Sequence, residues 1–187
     1  MKKILVTLAA TALALSVYAQ GTVTFQNAVG VGGKVYIDGA LATASDQFTV
    51  QLLYGPVGTA LDSLTPWTDT FTSTTGMGLF YDGATKTLPG IPAGGGSADS
   101  VMNVTLAIQG WTGAWATMEE AIANNALVGK TLAFNNPTGA GGAPPSPPAN
   151  MVGWLADNPL NLTAIPEPST FALLGLGALG MFLFRRK

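Results

Sequence analysis

Carboxylates are the side chains in this sequence that could do acid–base chemistry, and their spacing does not favour it. Glu119 and Glu120 are adjacent, and neighbouring residues on a helix point about 100° apart. They therefore cannot face one substrate together, as the two carboxylates of a glycosidase must. Their place at the start of a predicted helix explains them better, because carboxylates are favoured near helix N termini. Helix capping is the interpretation we favour.

The aspartates that precede residue 166 are dispersed, and we expect them to serve loops and turns. They are Asp38, Asp46, Asp62, Asp69, Asp82, Asp99 and Asp157. None shows the Asp-x-Asp-x-Asp-Gly spacing of a calcium loop. Two alternatives stay open: a calcium site assembled by the fold, and a hydrolase that brings two aspartates about 5–10 Å apart.

The sequence contains no histidine and no cysteine. These absences exclude Ser-His-Asp and Cys-His catalysis, zinc sites built from His and Cys, and haem ligation by His. The glycine run at residues 94–96 lacks the Lys-Ser/Thr pair of a phosphate-binding loop. We therefore expect a protein that is not an enzyme, with no catalytic residue, no cofactor and no metal site.

The tryptophans are the remaining candidates for ligand contact. They are Trp67, Trp111, Trp115 and Trp154. An exposed indole ring can stack on a sugar, and Trp111 with Trp115 is the pair that we assign to glycan contact, with exopolysaccharide as the partner. The competing interpretation is packing, because a tryptophan buries a large apolar area. Residues 112–114 between the two rings are expected to be too flexible to fix a platform on their own.

The N terminus has the three parts of a secretory signal peptide. Lys2 and Lys3 form a basic start, residues 4–17 are apolar, and small residues precede a cleavage site between Ala19 and Gln20. We expect residues 1–19 to be removed by signal peptidase after passage through the secretion translocon. The protein is therefore predicted to be exported.

The C terminus also has three parts. Pro166, Glu167 and Pro168 are followed by an apolar run at residues 171–184. The chain then ends in a basic cluster: Arg185, Arg186 and Lys187. As a helix the apolar run would span about 21 Å, which is short against a hydrocarbon core of about 30 Å. We expect residues 169–184 to enter the membrane, with the basic cluster on the cytoplasmic side as a membrane stop.

This tail resembles the PEP-CTERM sorting signal of Gram-negative bacteria. The resemblance is carried by Pro166, Glu167 and Pro168, by Ser169 and Thr170 at the start of the helix, and by the apolar run with its basic end. It implies recognition by an exosortase, a membrane-embedded cysteine transpeptidase that cuts at or near the Pro-Glu-Pro sequence. It also implies an inner-membrane-anchored precursor that is then delivered to the cell surface or outside the cell. The alternative is a plain C-terminal membrane anchor.

Residues 20–165 form the body of the protein, which is long enough for one domain with a core. The body has nine acidic and three basic residues, a net charge of −6. Nucleic-acid binding is not expected, because it requires clustered lysine and arginine. Stability is expected to come from packing alone, because no disulfide can form.

The body reads as short strands separated by Gly, Pro and Asp-Gly turns. The predicted strands are residues 22–26, 34–37, 48–54, 101–109, 130–134 and 160–163. The strongest are 48–54 and 101–109, in which alternate residues, among them Met102, Val104, Leu106 and Ile108, are apolar and are expected to face inward. Asp38-Gly39 and Asp82-Gly83 each predict a hairpin. Thr117 predicts the cap of one helix at residues 118–127, with Glu120 completing a capping box.

We therefore predict a mainly β fold: a single antiparallel β-sandwich of the jelly-roll or immunoglobulin type, with one short helix. The domains are the signal peptide (1–19), the body (20–165) and the sorting signal (166–187). Parts of the body, such as residues 21–27, 50–56 and 144–150, are also similar to small exported β-rich proteins with the same tail. The predicted role is structural or adhesive, at the cell surface or in a biofilm matrix, with a carbohydrate-binding module as the alternative.

Overall fold

The computed structural model describes residues 20–28, 31–97 and 100–165. The predicted signal peptide and sorting helix lie outside these residues, as does Asp99. The described part of the chain is mainly β, with 46% strand. Its strands are β1 (Gln20–Gln26), β2 (Val35–Ile37), β3 (Ala40–Leu41), β4 (Phe48–Pro56), β5 (Thr65–Ser73), β6 (Tyr81–Pro92), β7 (Val104–Thr112), β8 (Val128–Lys130), β9 (Phe134–Asn136), β10 (Ala149–Asn150) and β11 (Leu160–Leu162). A 3-10 helix (Leu61–Ser63) precedes β5, and helix α1 (Met118–Ala123) follows β7.

The largest sheet is built around β4 and β7, the two strands that the sequence predicts most strongly. Its order is β5-β4-β7-β8, and β9 pairs with the other half of β7. All of these pairs are antiparallel. The alternating apolar residues of β7 are buried as predicted at Val104, Leu106 and Ile108, whereas Met102 lies before the strand and is 40% exposed.

Two three-stranded sheets complete the body, with orders β10-β1-β6 and β11-β2-β3. In each of them one pair is parallel: β1 with β10, and β2 with β11. The prediction of a purely antiparallel fold is therefore wrong for these two pairs, because residues from the end of the body return beside strands from its beginning. The assignment to a sandwich of a particular type stays a prediction.

One hydrophobic core joins the three sheets. Its fully buried members come from β1, β2, β4, β6, β7 and β11 and include Val23, Val35, Leu52, Leu88 and Leu162. An aromatic cluster lies within it: the Phe80 ring is 4.9 Å from Phe25 and 6.0 Å from Trp154, centroid to centroid. Because all three sheets contribute residues to this core, the described part of the body packs as one unit.

The second face of the β4–β7 pair is also covered, which the strand pattern does not predict. The 3-10 helix lies near one end, where Leu61 packs against Leu53 and Ala107. Helix α1 lies at the other end, where Ala121 packs against Trp111. Between these two covers, Gln109 donates a 2.6 Å hydrogen bond to Gln51.

The two Asp-Gly pairs have different structures. Asp38-Gly39 forms the predicted hairpin between β2 and β3, with positive φ at both residues. Asp82-Gly83 is not a hairpin, because β6 continues through it and pairs with β1 on both sides of a bulge. The Asp82 carboxylate forms a 2.7 Å ion pair with the Lys86 ammonium group, and the Lys86 side chain is only 9% exposed.

Helix α1 begins as predicted and ends earlier than predicted. The Thr117 hydroxyl accepts a hydrogen bond from the Glu120 amide at 3.1 Å. Glu120 in turn accepts from the amide of Ala116, one residue before the expected partner. The helix stops at Ala123, because the chain then adopts positive φ at Asn125 and turns into β8. Within the described ranges, no helix has the length and apolar character needed to cross a bilayer.

Candidate sorting site and its junction with the body

The last residues of the body are held in the middle of the structure by backbone hydrogen bonds. Leu160 and Leu162 of β11 are fully buried, and the Leu160 amide donates to the Lys34 carbonyl. Thr163, directly after the strand, exchanges two hydrogen bonds with Val128, at 3.0 and 3.1 Å. Strand β11 therefore lies between β2 and the start of β8.

The fit between β8 and β11 is close. A Cβ atom added to Gly129 would collide with the backbone carbonyl of Asn161. Glycine is needed at this position because only a residue without a side chain allows the two strands to approach so closely. After Thr163, Ala164 and Ile165 are exposed and make no backbone hydrogen bond to any other described residue.

Most of the predicted processing residues lie outside the described residues: Ala19, Pro166, Glu167, Pro168, Arg185, Arg186 and Lys187. Gln20 is described, and it is the first residue of β1, paired with Pro92 of β6. The sorting residues thus follow β11 and the signal-peptide boundary precedes β1. The predicted signal-peptide boundary directly adjoins β1, and the Pro-Glu-Pro sequence begins four residues after the end of β11.

The glycan-contact prediction is wrong for Trp111. Its ring is fully buried against Ala121 and Val128, so no face is available to a sugar. The Trp111 indole nitrogen donates a 3.0 Å hydrogen bond to the backbone carbonyl of Trp115. Packing explains Trp111, because a buried indole pairs its N–H while its ring fills the space beneath α1.

Trp115 is the most exposed of the four tryptophans, with 38% of the residue accessible to solvent. The bond from Trp111 fixes its backbone, and its ring lies against Gly113, which has φ of +84°. The loop that we expected to be too flexible is therefore held at both of its tryptophans. The glycan-contact prediction stays a prediction for Trp115.

The other two tryptophans belong to the core region. Trp154 is fully buried, and its indole nitrogen donates to the Asn158 carbonyl at 2.7 Å. Trp67 is half-buried, with its ring edge-on to Tyr54 at 5.9 Å. The Trp67 indole N–H is buried and has no hydrogen-bond partner among the described residues.

Three of the described carboxylates, Asp46, Asp82 and Glu120, serve local structure. Asp46 accepts hydrogen bonds from the amide and the hydroxyl of Thr43, at 2.7 and 2.8 Å. The hydrogen bond from the Thr43 amide has the larger effect and the one from its hydroxyl the smaller, and both hold the pKa of Asp46 below its usual value. Among the residues with described positions, no three acidic side chains come together where a metal ion could bind.

Sequence reasoning missed two polar elements that organise the site region. One is the pairing of Thr163 with Val128, which carries no local signal because the partners are 35 residues apart. The other is Asn27, a fully buried residue whose side chain bonds three backbone groups from two distant segments. An asparagine directly after an apolar strand was the available hint.

Comparison with known proteins identifies the C-terminal segment. The family model of the PEP-CTERM protein-sorting motif matches residues 164–187. The tail predicted from the Pro-Glu-Pro sequence is therefore confirmed, and the match begins at the residue that follows Thr163. No curated protein and no solved structure matches the chain.

Proposed function

We propose that this protein is a non-catalytic structural or adhesive component of the cell surface or extracellular matrix, delivered there by exosortase processing. The PEP-CTERM motif at residues 164–187 implies exosortase-dependent sorting of an exported protein. It also implies a membrane-anchored precursor that is processed for surface display. The observation that carries the proposal is the position of the motif. It begins where the paired structure of the body ends, so we infer that the motif directs delivery of the whole body.

A role without catalysis is supported by the chemistry of the body. The chain has no histidine or cysteine, and three of the described carboxylates, Asp46, Asp82 and Glu120, are used in a turn, an ion pair and a helix cap. The body is acidic, with a net charge of −6, which does not suit nucleic acid as a partner. The partners that we propose are the secretion translocon, signal peptidase, the exosortase and matrix material.

The processing proposal is tested by the intact mass of the protein extracted from the cell surface. We expect a species that begins at Gln20 and lacks residues 171–187. Glu167→Gln is expected to leave the full-length form in the inner membrane, because the carboxylate of the recognition sequence is removed. Glu119→Gln makes the same chemical change on the exposed face of α1 and is expected to be processed normally.

The same measurement separates the proposal from a plain membrane anchor. A plain anchor would leave surface-accessible protein that carries the complete tail in both the wild type and the Glu167→Gln variant. Recovery of that full-length species alone would overturn exosortase processing.

A carbohydrate-binding role is the second candidate, and the exposed ring of Trp115 favours it. The ring is presented on a loop whose backbone is held by the Trp111 bond, so little loop freedom remains to be lost on stacking. Glycan-array binding that disappears in Trp115→Ala but persists in Tyr81→Ala would support this role. Tyr81 is a suitable control because it is an exposed aromatic residue on another sheet.

A further inference from the structure

The folded body leaves very little chain between its last paired residue and the sorting motif. Ala164 and Ile165 are the residues that separate Thr163 from Pro166. Two extended residues span at most about 7 Å. A domain of 146 residues has a radius of gyration of about 15 Å. The body is therefore wider than its own tether is long.

The backbone groups just before the motif are also already occupied. Thr163 uses its N–H and its C=O in the two bonds to Val128. The Leu162 carbonyl accepts from the Asp38 amide, and the Leu160 amide donates to Lys34. A processing enzyme that binds its substrate as an extended strand needs such groups free, because it recognises the main chain by hydrogen bonds.

We propose that β11 acts as a latch: while it is docked between β2 and β8, the exosortase cannot engage the Pro-Glu-Pro sequence, and processing proceeds on chains in which β11 is released. This inference rests on the proposed exosortase processing. The latch consists of Leu160–Leu162 together with Thr163. Its partners are Lys34 and Asp38 at the ends of β2, and Val128 of β8.

The body favours the docked state for reasons that the structure shows. Leu160 and Leu162 are completely buried in the main core, and releasing them would expose their side chains to water. Docking also brings the backbone of β11 at Asn161 into close contact with Gly129 of β8. A substrate whose competent form is a minor population reacts more slowly in proportion to that population. The latch therefore sets the rate of processing without contributing any residue to the catalytic site.

A disulfide across the latch provides the first test. Thr163 and Val128 exchange both backbone hydrogen bonds, and such antiparallel partners have Cα atoms about 5.5 Å apart, within the range that a disulfide spans. The chain has no cysteine, so the double variant Val128→Cys with Thr163→Cys can form one intramolecular bond, in an exported compartment that permits it. Full-length precursor in membranes is expected to stay unprocessed when oxidised and to be processed after reduction.

The two single-cysteine variants are the matched controls for this test. Each carries one of the substitutions but cannot close the bridge within the chain, so both are expected to be processed under oxidising conditions. Processing of the oxidised double variant at the rate of its reduced form would overturn the latch. Recovery on reduction shows that the double variant is folded and competent.

A longer tether provides the second test. Insertion of four, eight or twelve Gly-Ser residues between Thr163 and Ala164 moves the whole motif, residues 164–187, away from the body while leaving β11 docked. We expect the processing rate to rise by about tenfold or more and then to level off, as the fraction of competent substrate approaches one. The same insertions between Gly142 and Ala143, in an exposed loop, are expected to leave the rate unchanged.

The outcomes distinguish this inference from the function on which it rests. If the wild-type tail is never removed, exosortase processing itself is wrong. If the tail is removed but the rate is insensitive to both tether length and the disulfide, processing stands and the latch is wrong.

Discussion

Replacement of Asn27 by alanine is the perturbation of the body whose cost follows most directly from the structure. Asn27 follows β1 and is completely buried. Its side-chain amide donates to the carbonyls of Gly33 and Gly78, at 3.1 and 2.8 Å. Its side-chain oxygen accepts from the Phe80 amide at 2.6 Å. One side chain thus ties β1 to the segments that precede β2 and β6.

The size of the destabilisation caused by Asn27→Ala depends on which backbone groups lose their only hydrogen-bond partner. Gly78 keeps a second hydrogen bond, from the Val35 amide, whereas the Gly33 carbonyl and the Phe80 amide are left without one among the described contacts. Each buried polar group left unpaired costs about 1–3 kcal/mol. We therefore expect Asn27→Ala to lower the free energy of unfolding by about 2–6 kcal/mol, a large part of the 5–15 kcal/mol typical of a domain.

Urea denaturation of the mature protein, followed by tryptophan fluorescence, measures this loss. The midpoint is expected to fall while the m-value stays constant, because the surface exposed on unfolding does not change. Asn161→Ala is the control: Asn161 is exposed and makes one 3.3 Å bond to the Gly39 amide, so its change should stay within about 0.5 kcal/mol. A loss below about 1 kcal/mol for Asn27→Ala would refute the reasoning.

Three further predictions concern packing, capping and pH. Gly33→Ala is expected to destabilise the body by about 1–3 kcal/mol, because the new Cβ would collide with the buried Trp154 ring; an unchanged melting temperature would contradict this. Thr117→Ala removes the oxygen that caps α1 and should cost about 1 kcal/mol in urea denaturation, whereas Thr117→Ser should be close to wild type. The Thr43 bonds lower the pKa of Asp46, so their stabilisation is present above pH 3.8 and is lost as the pH falls through the lowered value. Asp46→Asn should therefore weaken the dependence of stability on pH in that acidic range, and an unchanged acid-denaturation curve would contradict it.

The comparison of the two Asp-Gly pairs shows what local sequence determines in this fold. Both pairs have the residues that a tight hairpin requires, and both contain a glycine at positive φ. Asp38-Gly39 forms the hairpin because its flanking strands pair with each other. At Asp82-Gly83 the flanking residues both pair with β1, so the same residues form a bulge. The positive φ of each glycine was predictable from the local sequence, but the strand with which the flanking residues pair was not.

A similar limit applies to burial and to the candidate site. The alternation in β4 and β7 correctly predicted one buried face, but Thr49, Thr105 and Gln109 on the other face are buried as well. Their hydrogen-bond partners lie on neighbouring strands and loops: Thr72 and Gly113 for Thr49, Gly58 and Asn135 for Thr105, and Gln51 for Gln109. No strand pattern records these contacts. The sorting tail was predictable because its residues are contiguous. The docking of β11 was not, because β2 and β8 approach it from distant parts of the chain.

The ion pair of Lys86 with Asp82 affects how these bodies can associate. Among the described strands, β6 has one neighbour, β1, and its second edge is unpaired. Strand β6 carries an inward-pointing lysine, a bulge at Gly83 and a proline at Pro89, three devices that prevent strands of separate molecules from zipping together. Copies of the protein are thereby protected from amyloid-like stacking along this edge, and any contact between them at this edge has to use side chains.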